Sequence, residues 1–254
     1  MMYHYTMLQW LLFLYIYCFL GWCWETSYVS IKKDKFENRG FLRGPFLPIY
    51  GTGAIMMLIV AGPFRDNLIL TYFAGVVGAT TLELATGIAM EAMFKVRYWD
   101  YSMKFCNYKG YICLGSSIAW GFFTVILTRY LHNPIEHLVL SVPQNVINII
   151  SIILTIYIAT DFVLSFHGAF KLRDILDKMH GIAMKKDAIE DRINAMIGFF
   201  DGNWKRFVLH RHLGRIKGNT TMVSRKYAST LHDIKEFMAK PKAHKRLKEL
   251  IRRT

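Results

Sequence analysis

The stretch Leu68–Ala92, LILTYFAGVVGATTLELATGIAMEA, decides how this chain is read. It holds no Lys or Arg and exceeds the ~20 apolar residues that carry a helix across the hydrocarbon core of a bilayer. It nevertheless contains two acids, Glu83 and Glu91. Lying eight residues apart, they share roughly one helix face and are separated by about 12 Å along the axis. A carboxylate at the bilayer centre costs at least ~3 kcal/mol. Glu83 therefore needs a partner, a proton or a water-filled cavity.

Four further apolar runs flank this one. Tyr5–Val29 carries Gly21 and, late, Glu25. Pro45–Ala61 is short, with Pro45, Pro48, Gly51 and Gly53 in its first half, and could be re-entrant. Ile112–Leu131 reads as a clean apolar run, and Val146–Phe166 has Asp161 near its end. The expected fold is all-α, a polytopic membrane protein of about five transmembrane helices. Basic residues set its direction, because loops rich in Lys and Arg stay inside. Lys32, Lys33, Lys35, Arg39 and Arg43 lie between the first two runs; Lys95, Arg97, Lys104 and Lys109 follow the third. The alternate loops carry only Arg65. Five spans with the N-terminus outside place every basic segment on the cytoplasmic side of a cell membrane.

The charge balance agrees. The chain has 32 Lys+Arg against 18 Asp+Glu and is 53% hydrophobic. Residues 171–254 hold 21 of the basic and 9 of the acidic side chains, so 12 of the 14 net positive charges sit there. The expected division is a transmembrane domain, 1–168, and a cytoplasmic, basic, amphipathic helical tail, 169–254. In the tail, Leu172, Ile175, Leu176, Met179 and Ile182 recur at helical spacing, as do Ile189, Ile193, Met196 and Ile197, then Val223, Tyr227, Leu231, Ile234 and Met238. Leu247, Leu250 and Ile251 form a last short stripe. A polybasic segment beside a span is drawn to the anionic inner leaflet by about 1 kcal/mol per residue, so the expected partners are the bilayer and its anionic lipids, not nucleic acid.

Cys18, Cys23, Cys106 and Cys113 form no CxxC pair and read as reduced structural thiols. The first run lacks the basic n-region and cleavage site of a signal peptide and reads as a retained anchor.

The most structured non-helical stretch is Glu37–Ala54, ENRGFLRGPFLPIYGTGA. Irregular backbone at membrane depth survives only when buried in protein or lining a cavity. A helix starting near Pro48 would aim its first amides at this loop, which suits an anion, and Arg39 and Arg43 add charge that grips phosphate or carboxylate. On the loop after the third run, Asp100 stands among interfacial aromatics and is expected to pair Arg39 or Arg43. The candidate ligand-binding set is Glu25, Asn38, Arg39, Arg43, Tyr50, Glu83, Glu91 and Asp100, with no metal site assigned and no cofactor identified.

Four motifs in order, NRGFLRGPFLPIYGTGA, ELATGIAMEAMF, WDYS and NYKGYICLGSSIAWG, resemble the ABC-transporter permease family called type IV, or CmpB-like, over about residues 5–168. The resemblance implies a bacterial membrane permease working with a separate ATPase subunit. The chain itself has no GxxxxGK[ST] phosphate loop.

Three functions compete. In the first, a cytoplasm-facing polar pocket for an anionic or phosphate-bearing ligand belongs to a transporter component; five spans are few for alternating access, so a homodimer or partner subunits would complete it. In the second, a membrane-embedded enzyme acts on lipid or a phosphorylated head group, its carboxylates binding a divalent ion. In the third, the chain is a non-catalytic regulator or assembly factor whose tail recruits a protein or senses lipid. The residues leave open whether the protein is an enzyme.

Overall fold

A computed structural model describes residues 4–34, 36, 38, 40–183, 223–224 and 226–239. Arg39, the tail stripe from Ile189 to Ile197 and the stripe Leu247–Ile251 lie outside these residues, as do the side chains of Met179, Ile182 and Met238. The elements run α1 (Met7–Lys33), α2 (Pro48–Ala61), a 3-10 turn (Gly62–Phe64), α3 (Leu68–Phe94), β1 (Asn107–Tyr108), β2 (Ile112–Cys113), α4 (Leu114–Ile126), a π turn (Leu127–Leu131), α5 (His132–Leu140), α6 (Gln144–Ala183) and α7 (Ala228–Ala239). Among the described residues three helices are long and apolar enough to cross a membrane: Met7–Ile31, Leu68–Phe94 and Gln144–Asp177. On α6, Ile149, Ile153, Ile156 and Val163 are exposed. A continuous apolar surface of this kind suits acyl chains and not water.

The helix ends follow from local chemistry. Thr6 and Gln9 close a capping box at the start of α1, the Thr6 hydroxyl accepting from the Gln9 amide and the Gln9 side chain accepting from the Thr6 amide. Asp34, at φ 49°, ends it in the left-handed conformation. Pro48 starts α2 at the first-turn position, where its missing N–H is no loss. The run from Ile112 to Leu131 departs from expectation in two ways. Helix begins only at Leu114, after a two-residue strand, and it continues past Leu131 through the π turn to Leu140. The run is not clean either, because it contains Arg129, whose Nε is buried without a hydrogen-bond partner.

The chain divides into two compact units. The first comprises Met1–Ile88 and Tyr101–Ser165. Its core gathers Phe13, Tyr17, Leu58, Leu127, Val139 and Ile147. Helices α1 and α2 meet where side chains vanish: a Cβ on Gly21 would fall 2.3 Å from the Tyr50 Cβ, and one on Gly51 would fall 2.3 Å from the Cys18 Sγ. Helices α3 and α4 meet in the same manner, Gly75 against Thr124 and Gly121 against Tyr72. Hydrogen bonds from Ser151 to the Leu8 carbonyl and between Tyr15 and Thr155 tie α6 to α1.

The second unit comprises Ala89–Asp100 and Phe166–Thr254. Leu172, Ile175 and Leu176 of α6 are buried, as are Tyr227, Leu231 and Ile234. Val223 forms an antiparallel bridge with Arg97, amide to carbonyl in both directions. The Ser224 hydroxyl donates to the Lys95 carbonyl and accepts from the Tyr227 amide.

Candidate functional site

Glu83 is only 6% exposed, and its carboxylate is surrounded by donors. Tyr101 donates to Oε1 at 3.0 Å, while the Trp120 indole at 3.0 Å and the Ser116 hydroxyl at 3.2 Å face Oε2. An indole N–H can only donate, which fixes Oε2 as an acceptor. The donors come from two segments: the loop after α3 and the first turns of α4. Burial and the adjacent Glu83 carboxylate both push the Tyr101 phenol up from its ordinary range, so Tyr101 keeps its proton and stays a donor. The sequence demanded a polar partner for Glu83 without naming it; the partners lie 18 to 37 residues downstream.

Glu25 lies one helix away in the chain. It accepts from Tyr50 at 2.9 Å, directly above the Gly21 contact that lets α2 approach α1. Glu83, Tyr101, Ser116 and Trp120 thus form a polar layer inside the first unit.

The glycine-rich loop has a different occupant from the one expected. Asp161, 7% exposed, accepts from the amides of Arg43 at 3.2 Å and Gly44 at 2.8 Å, and from the Ser165 hydroxyl at 3.3 Å. Within the loop, the Arg43 and Gly44 amides are thus satisfied by the protein's own carboxylate. The Arg43 side chain is exposed and reaches the Leu164 carbonyl at 3.4 Å. Asn38 staples the loop: its side chain donates to the Arg43 carbonyl and accepts from the Gly40 amide and the Trp22 indole.

Glu91 and Asp100 belong to the second unit. Arg97, buried, bonds Glu91 at 2.5 Å and stands 3.9 Å from Asp100. Asp100 therefore has a cation on its own loop, three residues back. Among the described residues no three His, Cys, Asp or Glu side chains are grouped to hold a metal ion.

One buried polar cluster escaped the sequence reading. His132, fully buried, follows the π turn and meets Tyr17 at Nδ1, 2.7 Å, and Tyr5 at Nε2, 3.0 Å. Tyr5 gives its single proton to Glu136 at 2.5 Å. Its oxygen must then accept from Nε2–H, leaving Nδ1 to accept from Tyr17; donor counting assigns the tautomer. The available signal was His132 and Glu136 at i,i+4 just past an apolar run.

Compared with known proteins, residues 11–166 match the family described as "Putative ABC-transporter type IV". No curated protein and no solved structure shows significant similarity to the chain.

Proposed function

Because the chain belongs to the family described as "Putative ABC-transporter type IV", we propose that it is the membrane-embedded component of a transport system. In this reading it crosses the bilayer five times, with the N-terminus outside and residues 169–254 in the cytoplasm. The three long apolar helices and the distribution of Lys and Arg support it. The remaining two spans are α2 with its 3-10 extension and the joined helix Leu114–Leu140, which offers about 40 Å of length. Hydrolysis falls to a separate ATPase subunit.

The ligand site is the polar layer at Glu83. Arg39 and Arg43 supply the charge, and Asn38 a neutral hydrogen-bonding amide, for an anionic or phosphate-bearing ligand; Arg43 and Asn38 are exposed. Glu91 and Asp100, engaged by Arg97, hold the loop after α3. The observation that carries the reading is the split ligation of Glu83: Trp120 and Ser116 hold Oε2, whereas Tyr101 alone holds Oε1. A ligand donor replacing Tyr101 at Oε1 would free the Tyr101 side chain while Trp120 and Ser116 still hold α4 to α3.

The test uses inverted membrane vesicles from cells expressing the full chain, supplied with ATP and a mixed solute extract, with accumulated solutes read by mass spectrometry. One or more solutes should accumulate with the native chain and fall at least tenfold with Glu83→Gln. Equal accumulation in vesicles lacking the chain rejects transport.

A further inference from the structure

The loop Tyr101–Cys113 is a small constructed element, not slack between helices. Its strands pair Asn107 with Cys113 and Tyr108 with Ile112. The Tyr101 amide bonds the Gly110 carbonyl at 3.0 Å. The Asn107 side chain donates to the carbonyls of Ser102 and Lys104 and accepts from the Gly110 amide. Cys106 and Lys109 are both held at positive φ, 48° and 50°, a conformation that non-glycine residues adopt only when their surroundings impose it.

This rigid frame presents apolar side chains outward. Met103 is 98% exposed, Phe105 80% and Tyr108 52%. Lys104 and Lys109 are exposed between and beside them, and the Lys109 ammonium lies 5.5 Å from the Tyr108 ring centroid. In water such a cluster would be a liability.

The base of the hairpin fixes its depth. Tyr101 and Ser116, which bracket it, both reach Glu83. Glu83 lies eleven residues, about 16 Å of helix, before α3 ends at Phe94. The base of the hairpin is therefore anchored alongside α3 within the span. The tip belongs to a loop that the distribution of Lys and Arg assigns to the cytoplasmic side, and apolar or aromatic side chains interleaved with lysines are suited to the head groups of that leaflet.

We propose that the hairpin tip, Met103–Lys109, is an anionic-lipid docking finger: Met103, Phe105 and Tyr108 enter the head-group layer while Lys104 and Lys109 meet lipid phosphates. This rests on reading α3 and α4 as membrane spans, and it is separate from any attraction of the basic tail. It gives the loop that carries Tyr101 a second attachment, so that lipid charge bears on the contact with Glu83.

Cys106 is exposed, whereas Cys18 and Cys113 are buried, so an environment-sensitive fluorophore can be placed at Cys106 in a Cys23→Ser background. The full-length protein is reconstituted in nanodiscs of phosphatidylcholine with or without phosphatidylglycerol, and quenched by aqueous iodide or by lipids spin-labelled near the head group. Iodide quenching should fall by half or more on moving from detergent to discs, with lipid quenching appearing. Each lysine should shift partitioning into the anionic discs about fivefold. Lys104→Gln with Lys109→Gln should erase the difference between the two lipids, and Met103→Ser with Phe105→Ser should abolish shielding in both. Equal iodide quenching in detergent and discs overturns the proposal. So does shielding that appears only with a co-purifying protein, which would identify a protein partner instead. Resistance of the chain to alkaline carbonate extraction tests the membrane reading by itself, whatever the probe reports.

Discussion

The Asp161 carboxylate accepts the Gly44 amide at 2.8 Å across 117 residues of sequence, and the glycine is what permits it. A Cβ at position 44 would lie 2.5 Å from the Tyr157 hydroxyl and 3.2 Å from Asp161 Oδ2. The loop before α2 is thus folded onto α6 by a charge that the protein supplies to itself.

Asp161→Ala should strand the Arg43 and Gly44 amides. Hydrogen bonds to a charged group contribute about 1.5–3 kcal/mol each, so the unfolding temperature in detergent should fall clearly, and Asp161→Asn should fall less. Gly44→Ala should also destabilise. Because the obstructing atom is the tip of a side chain, Tyr157→Phe should recover part of the loss, and a double-mutant cycle of melting temperatures measures it.

For Glu83 the order of severity is expected to be Glu83→Leu, then Glu83→Gln, then Tyr101→Phe. Leucine leaves the Trp120 indole and the Tyr101 hydroxyl buried without acceptors, at about 1–3 kcal/mol for each. Glutamine keeps one acceptor oxygen but turns an NH2 towards a donor. Thermal unfolding followed by tryptophan fluorescence should rank the three; a Glu83→Leu protein as stable as the native one would show that the carboxylate is not held as described.

Tyr101 also predicts a pH dependence. Its phenol is pushed up in the folded protein, so the folded state binds the proton more tightly than the unfolded chain does. The stabilisation this brings is complete below the ordinary tyrosine range, about pH 10, and is lost as pH rises through the higher folded value. In an alkaline absorbance titration, the difference between the native protein and Tyr101→Phe should show no tyrosinate signal near pH 10. A full single-tyrosine step there would contradict the burial.

Two glycines in one turn of α2 should respond with opposite sign. Gly51→Ala would drive a methyl against Cys18 Sγ and to 2.6 Å from the Leu14 carbonyl, which is backbone and cannot retreat. Overpacking of this kind costs about 1–3 kcal/mol. Gly53 has only Leu82 Cδ2 near, at 3.9 Å. Gly53→Ala should be neutral or stabilise by roughly 0.5–1 kcal/mol, as alanine does in a helix interior. Paired melting curves decide it.

What could be read beforehand followed from solvent physics. Long apolar runs announced the helices at Met7, Leu68 and Gln144, and Glu83 announced a polar neighbourhood, because both follow from transfer free energy. The partners could not be read, since Tyr101, Ser116 and Trp120 become neighbours of Glu83 only when a hairpin folds back along α3. Asp161 read only as an acid near the end of its run because nothing in its local sequence points to Gly44. Periodicity ended the fourth run at Leu131 because His132 and Asn133 are polar, yet both lie inside the helix, His132 buried between two tyrosines. A hydropathy scale charges histidine for burial and has no term for the hydroxyls that satisfy it.

The π turn at Leu127–Leu131 sets the phase between the two halves of the joined helix. Such a turn holds about one residue more than a turn of ordinary helix, so a residue lost within it returns the turn to normal pitch and leaves the downstream half close to its orientation. A residue lost between Leu114 and Ile126 would instead rotate one half against the other by about 100° and carry His132 and Glu136 away from Tyr17 and Tyr5. For that cluster the angular phase of the helix matters as much as the identity of its residues.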